Sequence, residues 1–317
     1  MESRKPREIL HSKRGNLEYI EHCRVMVKDG RVLFLYADEE DEINTYWNIP
    51  IANTSAVLLG TGTSITQAAV RMLAEAGVMI GFCGSGGTPL ISATEIEWLS
   101  PQSEYRPTEY VQAWLKFWFD DAKRLKVAKV FQSKRLEFLE FVWIKDRRLK
   151  EFGFDFEDFS VAQALGRYKT LVAKCGDVTE LLAAEGRLAK DLYKHAAKVT
   201  GQQGFVRDPE QDDSANRFLN HGNYLAYGIA ATCLWCLGIP HGFAVMHGKT
   251  RRGALVFDVA DLVKDAIILP LAFIASSDGL KERDFRQECL ASITRHEAMT
   301  FMFDVVKLTA MTGASLP

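Results

Sequence analysis

The spacing of apolar residues changes character once along this chain, near Pro101, and that change limits the folds open to it. From Asn16 to about Leu99 the apolar residues fall in short β-rich runs, LEYIEHCRVMV, RVLFLYA, NTYWNIPI and AVLLG, divided by turns and an acidic loop, DEEDE. Asp29-Gly30 between the first two runs is a hairpin signal, because such pairs accept the positive φ that a two-residue turn requires. One helix interrupts the series. Thr63 or Ser64 is placed to cap SITQAAVRMLAEAG, in which Ile65, Ala68, Ala69, Met72 and Leu73 keep helical spacing and Gly77 closes the end. VMIGFC follows as a further strand, and Gly84, Gly86 and Gly87 then read as turn residues ahead of Pro89. Past Pro101 long helical patterns take over. Val111, Leu115, Trp118, Ala122, Leu125 and Ala128 trace one face after Thr108, and SANRFLNHGNYLAYGIAATCLWCLG follows a polar loop over 201–213. The pattern predicts an α+β protein: a small β-rich N-terminal domain over 1–100, β-sandwich-like with one helix, and a larger all-α domain over 101–317.

Composition excludes several function classes. With 47% apolar and 25% charged residues and a formal net charge of -2, the chain is an ordinary globular protein and does not coat nucleic acid by bulk charge. No apolar run reaches the roughly twenty residues needed to span a membrane, and MESRKPREILHSKRG is charged throughout, so a cytoplasmic location is expected. Cys233 and Cys236 form a C-x-x-C inside an apolar run without a second pair, which favours buried thiols over zinc. Gly60-Thr-Gly62 lacks both the third dinucleotide-binding glycine and the Gly-Lys-Ser/Thr of a P-loop, leaving a tight turn as the better reading. Between Lys123 and Lys150 basic residues outnumber acids and aromatics are interleaved, which fits a nucleic-acid surface and a solvated face over an aromatic core equally well. The first several residues and Gly313 to Pro317 are expected to lack fixed structure.

Two places carry chemistry. In the helix VTELLAAEGRLAKDLYKHAAKV, which Asp177 and Glu180 open in a capping-box-like way, Leu181, Leu188, Leu192 and Ala196 define an apolar stripe whose remaining position is Glu185. A carboxylate on a buried stripe costs several kcal/mol, order of magnitude, unless a cation or partner offsets it. Arg187 and Lys190 are candidate partners but lie on other faces of that helix. The second place is AVMHGKTRRGALVFDVADLVKD, residues 244–265. On a helix starting near Asp258, the side chains of Asp258, Asp261 and Asp265 share one stripe beside Val259, Leu262, Val263, Ala266 and Leu269. Asp258 as an N-cap with Asp261 at the positive helix end is the plain alternative. Glu185, His247 and the Asp258/Asp261 pair together make a set of carboxylate oxygens and one imidazole, with no thiolate. Such donors suit Mg²⁺ or Mn²⁺, and Lys249, Arg251 and Arg252 beside them suit a phosphodiester.

These segments resemble a known family, the CRISPR-associated adaptation endonuclease and integrase, first-numbered in the CRISPR-associated series. The similarity runs through LLGTGTSIT at 58–66, the Glu185 helix, SANRFLNHGNYLAYG at 214–228 and VMHGKTRRGALVFDVADLVKD at 245–265, and the wording looks most like the subtype I-F branch. The resemblance implies Glu185, His247 and Asp261 as catalytic ligands of Mg²⁺ or Mn²⁺, with Asp258 and Asn216 in support. It implies DNA contacts at Lys249, Arg251, Arg252 and Lys264. Serine at 214, where Asp-Pro-x-Asn is commoner, departs from the family wording near the helix start. The resemblance further implies a homodimer formed by the N-terminal domain and a double-stranded DNA fragment whose 3′-OH groups attack a CRISPR repeat. The implied partner is a second adaptation protein, fused to a helicase-nuclease.

Two other readings compete. A non-haem iron oxygenase would use His241, His247 and Asp258 as a facial triad, although the usual His-x-Asp spacing is absent. A non-catalytic DNA-binding scaffold would carry the same acids merely as helix caps.

Overall fold

A computed structural model describes residues 14, 16–36, 46–84, 97–101, 107–211, 213–248 and 253–316. The chain divides into two compact units, 1–106 and 107–317.

The first unit holds β1 (Asn16–Ile20), β2 (Cys23–Lys28), β3 (Arg31–Tyr36), β4 (Tyr46–Asn48), β5 (Thr54–Leu59), β6 (Ser64–Ile65), α1 (Gln67–Glu75), β7 (Met79–Phe82) and β8 (Glu97–Leu99). They form two four-stranded sheets, ordered β1-β5-β7-β8 and β4-β3-β2-β6. The hairpin at Asp29-Gly30 forms as expected. Lys28 pairs with Arg31 across it, and φ is +51° at Asp29 and +71° at Gly30. β5 runs parallel to both β1 and β7 and is buried at every position, which accounts for its unbroken TSAVLL. Val25 and Val32 of one sheet, Val57 and Ile80 of the other, and Ala69 and Leu73 of α1 share one core. The helix begins later than the sequence suggested. Ser64–Ile65 pairs with Arg24 and Val25 as a strand, so Thr66 is the cap and its side chain accepts from the Ala69 N–H. Gly60 and Gly62 lie in the β5–β6 turn, while Gly86, Gly87 and Pro89 lie outside the described residues.

The second unit is helical: α2 (Glu109–Trp118), α3 (Asp121–Lys145), α4 (Arg147–Glu151), α5 (Phe159–Lys174), α6 (Val178–Val199), α7 (Ser214–Cys236), α8 (Ala254–Val263), a π-helical turn (Lys264–Ile268), α9 (Leu269–Ser277), α10 (Glu282–Arg295) and α11 (Ala298–Thr312). Aspartates open many of them. Asp120, Asp146, Asp158, Asp177 and Asp213 each accept backbone N–H groups at the starts of α3 to α7. The Asp120 cap also breaks the single face expected across 111–128. α3 restarts in a new phase: of the six expected positions only Ala128 is buried, while Val111, Leu115, Trp118 and Leu125 are half-buried, Ala122 is exposed, and Trp114, Phe117, Val127 and Phe131 join the core. In α3 the aromatics Phe131, Phe138 and Trp143 are core, and only Phe141 is well exposed, with Lys145 over its ring.

All ten residues of α8 are buried, so it runs through the middle of the unit with α7 and α3 against it. The close packing has an identifiable cause at Gly222 of α7, where a Cβ would collide with Ile268 and crowd Phe285. Gly313 does the same for Phe117 and Val127. Gly313–Ser315 therefore forms a buried-edge 3₁₀ turn, contrary to the disorder expected there. The cysteines are free thiols, and Cys233 is wholly buried. No described helix is long and apolar enough to cross a membrane.

Candidate metal centre

His247 lies in the loop before α8 and is fixed by one carboxylate. Asp258 Oδ1 accepts from the His247 backbone N–H at 3.1 Å and stands 2.7 Å from the ring Nδ1, while Oδ2 accepts from the N–H groups of Val245 and Met246 at 2.7 and 3.1 Å. Asp258 is thus not an N-cap. α8 starts one turn earlier at Ala254, after Gly253 at φ +68°, and with all ten residues buried it has no exposed face from which the start could be read. The Asp258 side chain is only 1% exposed, so the four donors are what make its charge tolerable. With Nδ1–H donated to Asp258, His247 presents Nε2 to Asp261 Oδ2, 3.7 Å away. Burial would push the His247 imidazole down, but the Asp258 hydrogen bond and the charges of Asp261, Asp258 and Glu185 hold its pKa above the ordinary value.

Asp261 follows one turn later on α8. Its other oxygen, Oδ1, is ion-paired with Lys264 at the head of the π turn. Burial raises the Asp261 pKa, yet Lys264, His247 and Arg135 outweigh it and hold the carboxyl below its usual range. The Lys264 ammonium also lies 5.3 Å from the centre of the Tyr227 ring, so this residue is committed to the site's own charge balance. Glu185 enters from α6, on the stripe of Leu181, Leu188, Leu192 and Ala196, all buried. Its partner is neither Arg187 nor Lys190, which are exposed, but Arg135 of α3, whose Nη1 is 2.6 Å from Oε1. Burial dominates at Glu185 and raises its pKa despite Arg135.

Glu185, His247 and Asp261 each offer a ligand atom, and these atoms lie within 4.8 Å of one another, the one such group among the described residues. Oxygen and imidazole donors at that spacing fit a hard divalent ion. The rest of the expected set is only partly placed around it. Asp258 supports His247. Asp265 turns to Arg135, whose Nη2 is 2.6 Å from Oδ2. Asn216, wholly buried on α7, bonds with Arg207, Asp208, Val206 and Asp213 and so secures the 201–213 loop rather than the metal group. Lys249, Arg251 and Arg252 lie outside the described residues. The oxygenase triad does not assemble, since His241 belongs to no candidate metal group among the described residues and Asp258 is taken up by backbone donors.

Arg135 escaped the sequence reading. Its signal is the same as that of Glu185, a charge among apolar neighbours, here Phe131, Leu136 and Leu139, and it lies two turns beyond Ala128, where the face traced from Val111 ended.

A β-rich unit joined to a helical unit with a buried carboxylate–imidazole group defines the class of this protein. The family model described as CRISPR associated protein Cas1 matches residues 20–301. A "CRISPR-associated endonuclease Cas1" of Pseudomonas aeruginosa (strain UCBPP-PA14) is 55% identical over 305 residues, covering 94% of each chain. Among solved structures, "Crystal structure of TtCas1-DNA complex" aligns with TM-score 0.66 at 22% identity, covering 95% of this chain and 94% of the other. "Casposase bound to integration product" aligns with TM-score 0.69 at 14% identity over 94% and 90%. The chain belongs to the Cas1 family of CRISPR-associated proteins.

Proposed function

We propose that this protein is a divalent-metal-dependent DNA endonuclease and strand-transfer integrase of CRISPR adaptation, with Mg²⁺ or Mn²⁺ held by Glu185, His247 and Asp261. The observation that carries the reading is the convergence of those three ligand atoms within 4.8 Å, from three separate segments of the chain. A relative 55% identical that is named an endonuclease supports it. So does a shared fold with a protein solved on DNA and another solved on an integration product.

The reaction is a transesterification. A DNA 3′-hydroxyl loses its proton and its oxygen bonds to a phosphorus of the CRISPR repeat. The repeat's own P–O3′ bond breaks, and its 3′-oxygen leaves with a proton, so one phosphodiester replaces another without redox change. A bound divalent ion supplies charge stabilisation on the phosphate and a lowered pKa on the attacking hydroxyl. The protein's residues do the rest. Asp258 holds the His247 proton at Nδ1 and keeps Nε2 turned to Asp261. Lys264 and Arg135 neutralise the surplus of buried acids before any ion arrives. Lys249, Arg251 and Arg252 follow His247 in the chain and are the proposed phosphate contacts, and Lys264 is the charge partner of Asp261. The homodimer through the β-rich unit and the helicase-fused second adaptation protein, as in subtype I-F, belong to the same proposal.

Glu185→Ala and His247→Ala test it in a strand-transfer assay with a labelled DNA fragment and a repeat duplex in Mn²⁺. Both variants should keep wild-type circular dichroism and dimer mass while joining falls below detection. Wild-type cutting and joining by either variant would refute the site assignment.

A further inference from the structure

Among the described residues no arginine or lysine is more deeply buried than Arg135. Arg135 is 4% exposed. Its Nη1 meets Glu185 Oε1 at 2.6 Å, its Nε and Nη2 meet Asp265 Oδ2 at 2.7 and 2.6 Å, and Nη1 also donates to Gln132 Oε1 at 3.3 Å. Gln132 is itself oriented from two sides. Its Oε1 accepts from the Tyr168 hydroxyl at 2.6 Å, and its Nε2 reaches Met246 Sδ at 3.3 Å, directly before His247 in the chain. One turn of α3 therefore touches α6 at Glu185, the π turn at Asp265 and the loop that carries His247. Those are the segments whose relative placement brings the three candidate ligands together.

Two roles for such a residue differ in sign. Glu185, Asp258, Asp261 and Asp265 carry four negative charges against the positive charges of Arg135 and Lys264, leaving a formal charge of -2 with His247 neutral. If Arg135 acted only as a charge, it would repel an incoming cation, and its removal would tighten metal binding. If it acted through geometry, its planar fork would hold the Glu185 carboxylate, which otherwise turns about three side-chain bonds, and removal would weaken binding.

We propose that Arg135 is a positioning residue for the metal centre. Its guanidinium, oriented by Gln132 and Tyr168, fixes the Glu185 carboxylate toward His247 and Asp261 before the ion binds. This deepens the metal-centre reading and rests on it. A hydrophobic side chain would fill the same space without desolvating a charge, whereas the five-donor fork is matched to two acids and an amide at once.

Titration of the full-length protein with Mn²⁺, following the free-ion electron paramagnetic resonance signal, tests the inference apart from activity. Arg135→Lys and Arg135→Gln should each weaken Mn²⁺ binding by about tenfold to a hundredfold. Tyr168→Phe, which removes one buried hydrogen bond and leaves the ring, should weaken it by about threefold. An Arg135→Gln protein that binds Mn²⁺ as tightly as wild type or more tightly overturns the inference, and so does an Arg135→Lys protein with wild-type affinity. Should both lose their helical circular dichroism, Tyr168→Phe decides alone, and unchanged affinity there overturns it. Wild-type protein that takes up no Mn²⁺ overturns the metal-centre reading and the inference together, whereas wild-type binding with indifferent variants overturns the inference only.

Discussion

Asp258→Asn replaces one atom and should be among the most damaging single changes in the helical unit. The carboxylate accepts two donors on each oxygen, His247 N and Nδ1 on Oδ1 and the N–H groups of Val245 and Met246 on Oδ2. An asparagine keeps one oxygen and sets an NH₂ against the other two donors. If the oxygen stays with the backbone pair, His247 must accept at Nδ1 and carry its proton on Nε2, which removes the lone pair proposed to ligate the metal. If the oxygen stays with His247, the loop before it loses both anchors. Either way two charge-assisted hydrogen bonds are lost, at about 1.5 kcal/mol each, and buried donors are left facing a donor, giving about 3–5 kcal/mol of destabilisation. The Mn²⁺ affinity should drop about tenfold to a hundredfold. Urea unfolding followed by circular dichroism, with Mn²⁺ titration of the folded variant, measures both quantities. A stability change under about 0.5 kcal/mol with unaltered Mn²⁺ affinity would show that Asp258 does not organise the loop and ring as described.

Two further outcomes follow from the packing and the charges. Asp146 caps α4 at Arg148 N and Leu149 N and accepts from His296 Nε2 at 2.9 Å; burial raises its pKa, but those bonds prevail and hold it below the ordinary 3.8. A depressed folded pKa gives stability that is present above the unfolded value and lost as pH falls through the folded one. The difference in unfolding free energy between wild type and Asp146→Asn should therefore shrink as the solution is acidified below pH 3.8, and a difference that is flat from about pH 5 to pH 2, or grows, is the wrong result. Gly222→Ala puts a methyl group against Ile268 and should cost about 1–3 kcal/mol in denaturant unfolding despite the better helix propensity of alanine; an equally stable variant would mean that α7 and the π turn are not in the close contact described.

Local chemistry made several features legible in the sequence. The Asp29-Gly30 hairpin, the Asp177 cap, the long helix over 214–236 and the anomaly of Glu185 on an apolar stripe each depend on residues within a few positions of one another. Glu185 could be singled out because burying a carboxylate is costly wherever it happens. Periodicity failed where it carries no information. α8 is buried on all sides, so Asp258 looked like a helix start when it lies inside the helix, and the face traced across 111–128 ended two turns short of Arg135.

The sequence by itself determined which donors were present and that the chain divides into strand-like and helical parts, because residue chemistry and short-range spacing are properties of the linear chain. Only the tertiary structure decided that Arg135 neutralises Glu185 across fifty residues, that Asp258 serves His247, and that β5 lies parallel between β1 and β7. Those choices depend on which surfaces meet after the core has closed. A buried charge can select its partner only from the groups that packing brings within reach, and no spacing along the chain records that distance.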